Sequence, residues 1–140
     1  WCPDGEHVLM NLNTQGDGLR FARLPRDGSA CETLAPNVAG SGHPTLHPDG
    51  RHLLTDAYVD EPLAFGDGTA PIRLVNVATG VETQLARIRI QPLAEKATGA
   101  LRVDPHPAWD RTGTRVAFNA CPNGRRQVFV ADLRDVLAAD

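Results

Sequence analysis

An eight-residue segment of this chain occurs twice in the same register. His43-Pro44-Thr45-Leu46-His47-Pro48-Asp49-Gly50 returns as His106-Pro107-Ala108-Trp109-Asp110-Arg111-Thr112-Gly113. A shortened third copy, Trp1-Cys2-Pro3-Asp4-Gly5, opens the chain beyond the point where its histidine would fall. Tandem copies of this kind fold as one structural unit used repeatedly. The turn glycines stand at 5, 50 and 113, at intervals of 45 and 63 residues. A four-stranded propeller blade takes about 40 to 45 residues, so the first interval is one unit and the second is one unit with additions.

The units agree internally as well. Six residues after each glycine comes Asn11, Asp56 or Asn119, closing the apolar runs Val8-Leu9-Met10, Leu53-Leu54-Thr55 and Val116-Ala117-Phe118. Each run reads as a buried strand that ends in a polar residue. A further strand follows at Phe21–Leu24, Ile72–Val75 and Val128–Ala131, and outer strands end in Thr33-Leu34-Ala35 and Gln84-Leu85-Ala86. Gly and Pro punctuate the chain at short intervals, and no window keeps a 3.6-residue apolar period, so helix is confined to a turn over Arg134–Ala139. The expected fold is all-β: about three antiparallel blades, over roughly 1–39, 40–100 and 101–140, the last one incomplete. Three blades do not close a ring, so the chain reads as part of a six- to eight-bladed propeller with further sequence upstream of Trp1.

The Pro-Asp-Gly triplets are turn formers: proline presets φ, aspartate caps, and glycine takes the positive φ. Asp60 to Pro71 and Arg87 to Asp104 read as surface insertions, and the second leads directly into His106. His47 is expected in solvent, His7 and His52 on an exposed strand face, and Arg125-Arg126 at a hairpin tip. Trp109, Phe118 and Phe129 are expected to pack between blades.

Composition narrows the function classes. A net charge of −3 and the lack of a basic run argue against nucleic acid and anionic membranes as partners, and no apolar stretch reaches bilayer length. Cys2, Cys31 and Cys121 occupy unrelated repeat positions, which speaks against a disulfide framework and favours a reducing compartment, the cytoplasm, over the periplasm or secretion.

The first strand of each blade lines a propeller's central channel. His43 and His106 therefore should meet near its mouth, with Asp104, Arg102, Asp56 and Tyr58 around them. Imidazole and carboxylate together suit a divalent cation such as Mn²⁺ or Zn²⁺. The expected ligands are His43, His106, Asp104 and Asp56, with Arg102 and Tyr58 on an anionic substrate. The bland alternative is that the His-Pro pairs only order the start of each strand.

The Pro-Asp-Gly turns, apolar strands and Asp-Gly or Thr-Gly hairpins resemble TolB-like propeller repeats over essentially the whole chain. Gly42-His43-Pro44, Leu54-Thr55-Asp56-Ala57-Tyr58, Arg102–Trp109 and Arg126-Gln127-Val128-Phe129 look like the C-terminal blades of propellers related to oligogalacturonate lyase. That resemblance implies a seven-bladed propeller with a Mn²⁺ site built mainly of histidines, cleaving short pectin fragments by β-elimination. His43 matches a metal histidine of that family, and His106 the second histidine of its His-Pro-His motif. Asp104 stands at the first histidine of that motif, and the family's glutamine ligand has no counterpart in Gly99-Ala100-Leu101-Arg102. The implied function is metal-assisted β-elimination on acidic, uronate-containing oligosaccharides, with the general base outside this stretch. The rival expectations are a non-catalytic TolB-type platform for a protein partner and a propeller that binds sugar without cleaving it.

Overall fold

The computed structural model describes residues 1–13, 16, 18–90 and 103–139. Ten strands and one short helix follow in order: β1 (His7–Leu12), β2 (Arg20–Pro25), β3 (Glu32–Leu34), β4 (Thr45–Leu46), β5 (His52–Thr55), β6 (Thr69–Asn76), β7 (Val81–Arg89), β8 (Ala108–Trp109), β9 (Arg115–Ala120), β10 (Gln127–Asp132) and α1 (Arg134–Ala138). They form three sheets with spatial orders β1-β2-β3, β4-β5-β6-β7 and β8-β9-β10, and every pairing given is antiparallel. This is the expected partial propeller, and the apolar runs picked out by pattern fall in β1, β5 and β9.

The repeated turn has the same hydrogen bonds three times. The N–H groups of Gly5, Gly50 and Gly113 donate to the carbonyls of Cys2, His47 and Asp110 at 3.0, 3.0 and 3.1 Å. Those three residues in turn donate their own N–H to the carbonyls of His7, His52 and Arg115 at 2.8, 2.7 and 2.9 Å. All three glycines have φ near +70°, which a side chain would strain. Asp4 and Asp49 cap their turns by accepting from the N–H groups two and three residues on. They are turn formers, as expected.

Packing between sheets makes the interior. Phe21 and Leu34 of the first sheet meet Leu46, Leu53 and Val75 of the second. Leu54, Ile72 and Leu74 of the second meet Val116 and Leu133, with Trp109 and Phe118 against them. Trp109 and Phe118 thus pack between blades, and Phe129 stacks on Phe118 at 5.8 Å. The middle sheet, flanked on both sides, is the one whose β5 and β6 are buried at every position.

The structure also corrects the expectations for three histidines and one insertion. His52 is buried because the middle unit has neighbours on both sides, and His7 is half-buried. His47 is mostly covered, with its ring edge-on to Trp109 and its Nε2 2.8 Å from the carbonyl oxygen of Gly113. The insertion read as ending at Pro71 ends sooner, since β6 begins at Thr69. Pro71 is accommodated one residue before a register shift between Ile72 and Arg73, the kind of place where a sheet tolerates proline.

Candidate functional site

The site forms where the second and third sheets start. Gly42 has φ +68°, and a Cβ there would overlap Asp56 Oδ1. Only glycine lets the chain pass this close, and the next residue, His43, is delivered against the same carboxylate. Ser41, fully buried, secures the approach: it accepts from Thr55 Oγ1 at its carbonyl (2.7 Å), and its hydroxyl accepts from the Tyr58 N–H (3.2 Å) while bonding Glu61. Tyr58 is thereby set edge-on to the His43 ring at 5.2 Å.

Asp56 is fully buried and organises both histidines. Its Oδ1 accepts the backbone N–H of His43, its Oδ2 accepts that of His106 at 3.2 Å, and both oxygens lie 3.1 Å from His43 Nδ1. Donors this numerous meet the oxygens of a buried carboxyl and let it fix its neighbours. It holds the Nδ1 proton of His43, which leaves Nε2 of that ring with the lone pair. His106 sits at φ +45°, a conformation uncommon for a residue with a side chain, and the bond to Asp56 holds it there.

The two imidazoles meet. Their rings stack 3.4 Å apart at 25°, although 63 positions separate them in the chain. Asp104 joins them: one ligand atom from each of His43, Asp104 and His106 can be chosen so that all three lie within 4.8 Å of one another. Asn119 Nδ2 donates to the Asp104 carbonyl at 3.2 Å and its N–H donates to the Pro105 carbonyl at 2.8 Å, so β9 holds the 104–106 segment from behind. Asn11 reaches across instead, from the first unit to the start of the second, its Nδ2 donating to the Gly42 carbonyl at 2.7 Å. Asn11 and Asn119 satisfy backbone at strand ends, as their repeat position suggested.

Of the residues singled out by sequence, His43, Asp104, His106, Asp56 and Tyr58 come together, and Arg102 lies outside the described residues. Asp56 stands behind His43 with both oxygens engaged. An open cleft of about 220 Å³ lies beside His106, lined by Val103, Asp104, His106, Asn119 and Arg126. In the sequence Arg126 stood at a hairpin tip and in the Arg126-Gln127-Val128-Phe129 stretch of the resemblance, with no role at the site. The register sets Gln127 opposite Ala120, which returns Arg126 to the end of the sheet where Asn119 lies, and that pairing was the signal available.

No helix among the described residues is long and apolar enough to cross a membrane. By sequence, the chain matches no protein-family model and no curated protein. By structure it is similar to TolB from Acinetobacter baumannii, with a TM-score of 0.66 and 15% identity over 96% of this chain and 29% of that one. It is also similar to an oligogalacturonate lyase solved in complex with manganese, with a TM-score of 0.71 and 16% identity over 99% of this chain and 35% of the lyase. The chain therefore shares the TolB-like propeller fold and spans about a third of the length of these proteins.

Proposed function

We propose that this chain is the C-terminal portion of a propeller enzyme that carries out metal-assisted β-elimination on acidic, uronate-containing oligosaccharides. The observation that carries this reading is the convergence of His43, His106 and Asp104 beside a cleft, on a fold shared with a manganese-bound lyase. Two imidazoles and one carboxylate fit a divalent cation of intermediate hardness, and Mn²⁺ is favoured by the lyase likeness. Asp56 supports the fit, because a carboxylate behind an imidazole is the usual outer partner of a ligating histidine. His43, through Nε2, His106 and Asp104 are the ligands in this reading, and Asp56 orients them rather than binding the ion.

A divalent cation held there supplies positive charge for the enolate that forms when the proton beside the uronate carboxylate is removed. The chain's own residues do the rest of what is assigned to them. Arg126, on the cleft wall, is assigned to the substrate's carboxylate, where a guanidinium matches both oxygens, and Arg102 is assigned to it from the sequence alone. Tyr58 packs on His43 and presents its hydroxyl to the sugar. The proton itself is assigned to no described residue.

Metal content tests the first step. Manganese bound by the unaltered protein should fall to background in the His43→Ala/His106→Ala variant; equal, negligible content in both removes the metalloenzyme reading. Incubation with acidic oligosaccharides should then build the ultraviolet absorbance of an unsaturated uronide. Metal without that product favours the second reading, a sugar- or protein-binding platform, which rests on the likeness to TolB.

A further inference from the structure

The repeated turn carries an Asp-His pair in the first two units, and the two pairs are completed differently. In the first, Asp4 Oδ2 lies 2.8 Å from His7 Nδ1, and the Arg23 guanidinium reaches both, at 2.9 Å from the carboxylate and 3.2 Å from the ring. A permanent cation thus sits where the carboxylate oxygen and the imidazole nitrogen converge. In the middle unit Asp49 Oδ2 lies 2.6 Å from His52 Nδ1 in the same relation. The residue matching Arg23 by register is Leu74, since Leu9 faces Arg23 and Leu54 faces Leu74. The middle unit therefore lacks that guanidinium, and the ring of His47 stands at the convergence point instead.

His47 cannot fill the role of Arg23 as a neutral ring. Its Nε2 lies 2.8 Å from the Gly113 carbonyl oxygen, which has no proton of its own, so Nε2 carries the N–H. Gly113 is there because a Cβ would collide with that Nε2. The lone pair is then on Nδ1, where it accepts the N–H of Asp49 at 3.1 Å. Nδ1 is also 2.9 Å from Asp49 Oδ2. Two electron-rich atoms face each other at that distance, with the His52 nitrogen as a third close by. Their natural complement is a positive ion between them. A backbone carbonyl bonded to the far nitrogen of an imidazole is also how ligating histidines are commonly held.

We propose that His47, Asp49 and His52 form a second metal site, separate from the one at His43, for Zn²⁺ or a similar first-row divalent cation. One oxygen and two imidazole nitrogens all lie within 4.8 Å of one another. Small side-chain rotations open the 2.6 and 2.9 Å separations to those of ligands sharing an ion. Metal entry takes the His47 Nδ1 lone pair from the Asp49 N–H and moves the proton now between His52 Nδ1 and Asp49 to His52 Nε2, or to solvent where the ring starts as imidazolium. A cavity of about 170 Å³ borders His47 and Asp49 and leaves room for water to complete the coordination. Arg23 lines the same cavity, with its charge met by Asp4 and Glu32. The site joins the second unit to the turn of the third, through Gly113, and does not depend on the reading of the first site.

Zinc titration of the His43→Ala/His106→Ala variant by calorimetry tests this with the first site removed. One zinc per chain is expected, and adding Asp49→Asn should weaken that binding at least about tenfold. The amide keeps the turn's acceptor oxygen and offers a donor in place of Oδ2, so the fold is retained. Cobalt in place of zinc should give visible absorption bands that vanish with the same change. Absence of zinc from the double variant, or binding indifferent to Asp49→Asn, overturns the proposal. Loss of metal at His43 and His106 alone would bear only on the proposed function.

Discussion

A buried carboxylate is costly unless donors meet its oxygens, and at Asp56 the donors come from the first turns of two different sheets. Replacing it with alanine should lower manganese affinity by at least roughly 10- to 100-fold, because both histidines lose the carboxylate that sets them, as read by metal titration on protein whose far-ultraviolet dichroism is unchanged. Gly42→Ala acts on the same point from the other side. It forces a Cβ into Asp56 at a positive φ, so a loss of roughly 1–3 kcal/mol in thermal stability is expected together with loss of metal. Both histidines were legible in the sequence because the repeat set them in equivalent places. Asp56 was read in the sequence as a polar residue ending a strand, in the place of Asn11 and Asn119, and as a fourth ligand beside the histidines rather than as their support. Its place behind the imidazole depends on the approach of Gly42 and the φ of His106, and neither leaves a trace in periodicity.

Strands and turns were readable because their physics is local. Alternating apolar runs and Asp-Gly turns state their own conformation, and β1, β5 and β9 lie where those runs stand. The burial of His52 and the capture of His47 were not readable, because both result from docking onto a neighbouring sheet. The turn carboxylates carry an acid sensitivity. The N–H of Glu6, then the His7 ring and Arg23, bring the Asp4 carboxyl from 3.8 to about 2, and Asp49 is lowered as well. A carboxylate with a depressed folded pKa contributes stability that is complete above its unfolded value and disappears as pH falls through the folded one. The turn carboxylates should therefore contribute fully above about pH 4 and fade between about pH 4 and 2, in denaturant midpoints measured across that window. Asp4→Asn should blunt the decline. The sheet interface is the other lever: Leu54→Ala, at a fully buried position between the second and third sheets, should cost about 2–5 kcal/mol in urea unfolding.

At the scale of the whole molecule, the three sheets differ in what they lack. Only the middle one has four strands among the described residues, and β10 is the outermost strand of its sheet. Val128 and Val130, 69% and 66% exposed, stand on that strand. An apolar edge that no further strand among the described residues pairs favours strand addition. The chain should self-associate in a concentration-dependent way by sedimentation velocity, and Val128→Lys with Val130→Lys should shift it toward monomer. The carboxylate that clasps His43 and His106 also spans two sheets, so the joint and the chemistry share one fastening. The amide proton of His106 is consequently a gauge: its exchange with deuterated solvent should quicken whenever the third sheet swings away from the second, well before either sheet melts. An ion occupying the imidazole pair should slow that exchange, so that the proposed metal site would double as the hinge pin of the assembly.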